Sequence, residues 1–243
     1  MNARVITLLV CGLLPGLPVG HAASVYGDPS MPLAGQVYDT VIRTNDAEEL
    51  RYVILKTLTD RYADQKGITV SDAEIDAYIA RMAAAMAQHR KEQEALRDEL
   101  AGKLSTATLS ASEREKLEAE LETATEMVAN LAPETGDTVE EAREIEAARR
   151  EIATAFILQW KINRALYQQY GGRIGYQQGG PEPVDAYREF LEEHAAAGDF
   201  QIRDEGFERA FWAYYRNDSI HSFYPSGSED EARAFADPWL QPR

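Results

Sequence analysis

The chain has 243 residues, with 41 Asp and Glu against 25 Lys and Arg, for a formal net charge of −16. So acidic a surface excludes nucleic acid as the natural ligand, since phosphate binding needs a basic face, and it disfavours anionic lipid surfaces. The one cysteine, Cys11, lies close to the N-terminus, so neither a disulfide framework nor a thiol active site is expected further along.

Arg4 precedes an apolar run over residues 5–17, and Gly20-His21-Ala22 follows with small residues at both positions that a signal peptidase reads. This order predicts a cleavable secretory signal over residues 1–22, and the run is too short to remain as a membrane-spanning helix. Cys11 sits inside the run, behind Val10 where a lipid-attachment box needs a small residue, so lipidation is not expected. The mature part, residues 23–243, is expected in the periplasm as one domain without membrane insertion.

Residues 23–45 read as a loose lead-in, punctuated by Gly27, Pro29, Pro32 and Gly35, with one short strand over residues 36–42. Asp46 is placed to cap a helix with Glu48 and Glu49 in its first turn and Leu50, Val53, Ile54, Leu58 and Tyr62 at helical spacing, until Gly67 ends it. Ser71 and Glu74 then form a capping-box pair ahead of a second helix carrying Ile75, Tyr78, Ile79 and Met82.

Between Ile79 and Ala155 no Phe, Tyr or Trp occurs. Met82, Met86, His89, Gln93, Leu96, Leu100 and Lys103 step by four and three, and so do Leu117, Leu121, Ala124, Val128 and Leu131. That stepping is a heptad seam, and it predicts an antiparallel coiled-coil hairpin over residues 83–144, inserted as an arm. Its second helix is expected to start at the Ser112–Glu115 capping-box pair.

After a linker over residues 133–138, a long helix is expected over residues 139–170, with Ile145, Ile152, Phe156, Trp160 and Tyr167 along one side. Gly171 and Gly172 stop it, and further helices read over residues 181–197, 204–216 and 228–236. The fold class expected is all-α.

No catalytic motif emerges. His89, His194 and His221 have no metal-ligand spacing, and Ser226 lies in a turn rather than a nucleophile elbow. No cofactor is expected. Aromatic residues crowd the C-terminal half, and adjacent rings cannot all face inward on one helix. Tyr214, Tyr215, Phe223 and Tyr224 are therefore the candidates for a peptide-binding surface.

Residues 49–58, running on through Gly67-Ile68-Thr69-Val70-Ser71-Asp72-Ala73-Glu74-Ile75-Asp76, resemble the N-terminal domain of SurA-type periplasmic chaperones. Residues 144–173 correspond to the long helix that crosses back over the first two in that family. The parvulin prolyl-isomerase domains that usually follow have no counterpart here. The resemblance thus implies ATP-independent binding of unfolded or extended polypeptides in envelope biogenesis, without isomerase catalysis. The alternative is a scaffold subunit whose arm docks one folded envelope protein.

Overall fold

Among the described residues, three short strands precede the first helix. β1 (Ser24–Tyr26) pairs in parallel with β3 (Thr40–Arg43), and β2 (Leu33–Val37) runs antiparallel to β3. The single strand expected over residues 36–42 is thus a hairpin, folded at Tyr38 and Asp39. Tyr38 adopts a φ of 47°, its N–H donates to the carbonyl of Asp199 at 2.6 Å, and Arg61 lies 3.7 Å over its ring. Tertiary contacts hold a turn whose residues lack the Asn-Gly signature of two-residue hairpins. The computed structural model describes residues 24–106, 108–133, 135–177 and 180–236; the secretory signal expected over residues 1–22 lies outside them.

Asp46 caps α1 (Ala47–Lys66) as its composition requires, accepting from the N–H groups of Glu48 and Glu49 at 2.8 and 3.4 Å. Gly67, at a φ of 63°, closes the helix, and Ile68 donates back to Ala63 at 2.9 Å. Ser71 and Glu74 exchange the hydrogen bonds of a capping box, at 2.9 and 3.4 Å, and start α2 (Asp72–Thr106).

α2 continues without a break into the arm, and α3 (Ala111–Asn130) folds back against it. The capping box of α3 is Ser110 with Glu113, not Ser112 with Glu115. Both pairs have the required spacing, and the earlier one lengthens the packed helix. Leu100, Ala124 and Val128 are buried in the hairpin, with Gln93, Arg97 and Leu104 half-buried beside them. Met82, Met86, His89, Leu96 and Lys103, expected on the seam, stay exposed. The half-buried line of α2 runs through Gln93, Arg97, Leu100 and Leu104, one residue beyond Leu96 and Lys103 at two of its positions.

Thr138 and Glu141 form the capping box of α4 (Val139–Tyr170). Its middle, from Arg150 to Lys161, lies antiparallel to the base of α2, where Arg150 bonds Asp72 and Asp76 at 2.7 and 2.5 Å and Lys161 bonds Glu74 at 2.6 Å. Ile75, Ala153, Ile157 and Trp160 form a small core there with Ile174 and Phe235. The second half enters the main core, in which Ile162 and Leu166 meet Leu50, Ile54, Leu58 and Phe190.

β4 (Gly175–Gln177) and β5 (Gly180–Glu182) make a separate hairpin. α5 (Val184–Ala197) buries Val184, Ala186, Tyr187, Phe190 and Leu191. β6 (Phe200–Ile202) then pairs antiparallel with β2, which completes a four-stranded sheet in the order β1-β3-β2-β6. α6 (Glu205–Arg216) packs back on β6, and the short α7 (Glu229–Arg233) follows. The protein is mostly helical, as expected, with a small mixed sheet that the all-α reading did not include. Strands of three to five residues are too short for alternation to register, and their partners lie far away in sequence.

Candidate functional site

The four aromatic side chains singled out in the sequence do not form one open face. Tyr215 is 1% exposed and packs against Phe211 and Tyr187 in the main core, which removes it from any contact surface. Tyr214, its neighbour, is half-buried at the rim. Its hydroxyl donates to Glu182 at 2.9 Å, Arg51 lies 4.1 Å over its ring, and His221 donates from Nε2 to its carbonyl at 2.6 Å. Phe223 is covered by Arg173 at 4.3 Å. Tyr224 joins the smaller core, donates its N–H to Ile174, and meets Tyr176 edge-on. Three of the four remain half-buried, each engaged by protein groups.

The contacts of Tyr214 converge on Glu182. Gln177 and Tyr214 both bond its carboxyl, and Arg51 and His221 stand near it. Burial pushes its pKa above the ordinary carboxylate range, although Tyr214, His221 and Arg51 pull the other way. The Tyr214 hydroxyl is pushed up to about 12, first by burial and then by the Glu182 charge. A carboxyl whose folded pKa exceeds its unfolded one adds stability at low pH, and that contribution is lost as pH rises through the folded pKa. Glu182→Gln is therefore expected to raise stability at pH 7 by about 1 kcal/mol. The advantage should close on acidification. Urea unfolding across pH measures it, and a less stable variant at pH 7 would show that Arg51 and His221 outweigh the burial cost.

A second polar junction lies close by. Arg173 grips Asp185 through Nε and Nη2 at 2.8 and 2.9 Å and Asp218 through Nη1 and Nη2 at 2.8 and 2.9 Å. Gly172 is required beside it: its φ is 89°, and a Cβ there would come within 2.4 Å of Asp185 Cβ. The arrangement ties the end of α4 to α5 and to the turn after α6. Among the described residues no group of three His, Cys, Asp or Glu side chains is placed to hold a metal ion, and no helix is long and apolar enough to cross a membrane.

A concave, open surface lies elsewhere, on the outer side of α6. Glu205, Glu208, Trp212 and Arg216 share one helical face, and a shallow groove runs between Glu208 and Trp212 of that face and Phe200, Gln201 and Ile202 of β6. Trp212 forms its floor, half-buried against Phe200 and Phe211 with ring centroids 6.4 and 5.1 Å away. Sequence reasoning missed Trp212. The signal was present in α6, where Phe207, Phe211 and Tyr215 recur every four residues inward while Trp212 falls at the edge of the charged face.

Large apolar side chains also remain in solvent around the end of β3. They are Val25, Tyr26, Met31, Leu33 and Tyr52, from β1, the following loop, β2 and α1, with Val25 at 54% and Tyr52 at 59% exposure. On the arm and α4, Met82, Met86, Leu96 and Ile152 do the same. Comparison with known protein families, with characterised proteins and with solved structures finds no match to this chain.

Proposed function

We propose that this is a periplasmic, ATP-independent binder of unfolded or extended polypeptide segments in envelope biogenesis, akin in its first helices to the N-terminal domain of SurA-type chaperones. The observation that carries the reading is the set of exposed apolar side chains, Val25, Tyr26, Met31, Leu33 and Tyr52, near the open edge of the sheet at β1. Exposed apolar side chains grouped near one strand are a feature of interaction sites, and an edge strand offers backbone groups to any extended chain irrespective of its sequence. The net charge of −16 keeps such a surface soluble between encounters. The methionines of the arm add adaptable contact area, since a thioether chain fits many partners.

The test is suppression of aggregation. A denatured outer-membrane porin and reduced lysozyme are diluted with and without the protein, in the absence of nucleotide, and light scattering is followed. Slower scattering for both clients, saturating with protein concentration, is the expected result. Scattering unchanged for both would remove the chaperone reading.

The scaffold reading is favoured by one feature of α2. From Ala77 to Lys91 it carries no acidic residue, although 41 occur in the chain, and Met82 and Met86 are each 44% exposed there. A scaffold would bind a single folded partner and leave both denatured clients to aggregate.

A further inference from the structure

β6 is an edge strand, with β2 on one side and the Trp212 groove on the other. The ladder to β2 joins Arg203 to Ala34 at 2.8 Å and Tyr38 to Asp199 at 2.6 Å. In an antiparallel pair, hydrogen-bonded residues alternate with residues whose N–H and C=O point the other way. The backbone groups of Phe200 and Ile202 are therefore directed at the groove, away from β2. Both residues line it.

The opposite wall is charged in a defined pattern. Arg209 pairs with Glu205 at 3.8 Å, and Arg216 pairs with Glu192 at 2.7 Å while stacking 4.3 Å over Trp212. Glu208, exposed on the same wall, has no ion-pair partner among the described residues. One helical turn separates Glu208 from Trp212, an advance of about 6 Å at 1.5 Å per residue. Two residues of an extended strand advance about 6.7 Å, and they point to the same side.

We propose that this groove takes an extended polypeptide segment as an added strand on β6, with a bulky apolar side chain of the segment on Trp212 and a Lys or Arg two residues away on Glu208. The backbone pairing with Phe200 and Ile202 supplies sequence-tolerant affinity, and the Trp212–Glu208 pair supplies the preference. An apolar side chain against the part of Trp212 that Arg216, Phe200 and Phe211 leave open buries surface that water now wets. The cation completes the one carboxylate on the wall left without a counter-charge. This inference rests on the polypeptide-binding reading above and names where the segment lies and what side chains it carries.

The experiment is fluorescence anisotropy on the full chain with a labelled, end-capped, β-prone peptide bearing Lys and Phe two residues apart. Three companions are the same peptide with Lys replaced by Glu, one with Lys and Phe adjacent, and one methylated on successive backbone nitrogens, which blocks both strand edges. The Lys/Phe peptide should bind best, and backbone methylation should weaken it about tenfold or more, because the strand donors on both its edges are gone. Trp212→Ala should weaken it about tenfold or more. Glu208→Lys, an exposed substitution that leaves the packing alone, should invert the preference so that the Glu peptide binds better. Equal binding of the methylated peptide, or unchanged preference in Glu208→Lys, overturns the proposal. If the variants and wild type suppress client aggregation equally while these peptides show no dependence on the groove, this inference fails and the chaperone reading stands. If neither client nor peptide binds the wild type, both fail together.

Discussion

Tyr215→Ala is expected to lower stability by about 3–5 kcal/mol, the range for truncating a buried aromatic ring. Tyr215 is 1% exposed and touches Phe211, Tyr187 and Tyr214 through its ring, so the truncation opens a cavity that three rigid neighbours cannot refill. Guanidinium or urea unfolding at pH 7 measures the loss. A change below about 1 kcal/mol would place the ring outside the core and restore it as a contact residue. Tyr215→Phe keeps the volume and should cost little, which separates cavity formation from the loss of the hydroxyl.

Arg173→Ala has the next largest expected effect, about 2 kcal/mol of stability at pH 7. Truncating one partner of a fully buried pair costs about 3–5 kcal/mol, and one side of this guanidinium is in water, which reduces the figure. What remains is the desolvation of Asp185, whose side chain is largely buried and keeps Arg188 at 3.2 Å as its nearest remaining cation. Arg173 holds the Asp185 carboxyl below the ordinary aspartate range. A depressed carboxyl contributes stability above its unfolded pKa, and that contribution is lost as pH falls through the folded value. The deficit of Arg173→Ala should therefore be full at pH 7 and shrink once the pH drops below about 4. Arg173→Lys should recover only part of it, because an ammonium cannot grip two carboxylates with a planar fork. A deficit that does not change with pH would mean that the contact over Phe223, and not the charge, is what matters.

Both predictions turn on residues that the linear pattern treated differently from the folded chain. Tyr214 and Tyr215 are indistinguishable as a dipeptide, yet one is a core ring and the other a rim hydroxyl bound to Glu182. Helical periodicity assigns them to different faces only once the register of Phe207 and Phe211 is taken as the inner one. Arg173 follows two glycines and reads as turn punctuation, because Asp185 and Asp218, which make it a junction, lie 12 and 45 residues away.

The sequence by itself determined the local events. Asp46 and Gly67 bound the first helix, Ser71 with Glu74 starts the second, and Gly171 and Gly198 follow the last turns of α4 and α5, because capping needs only neighbouring atoms. The aromatic-free, heptad-spaced stretch also announced a helical hairpin, since seam spacing is a property of each helix alone. The tertiary structure decided what depends on distant partners. The sheet draws β6 back to β2 across more than half the chain, so three-residue strands with no readable alternation exist only as pairs. The arm's seam settles on Arg97 and Leu104 in place of Leu96 and Lys103, because which residues of a helix are covered is set by where its partner lies as well as by its own spacing. The groove beside Trp212 arises the same way: α6 folds back on β6 and leaves that strand's outer edge uncovered, a consequence of packing that no residue of either element states alone.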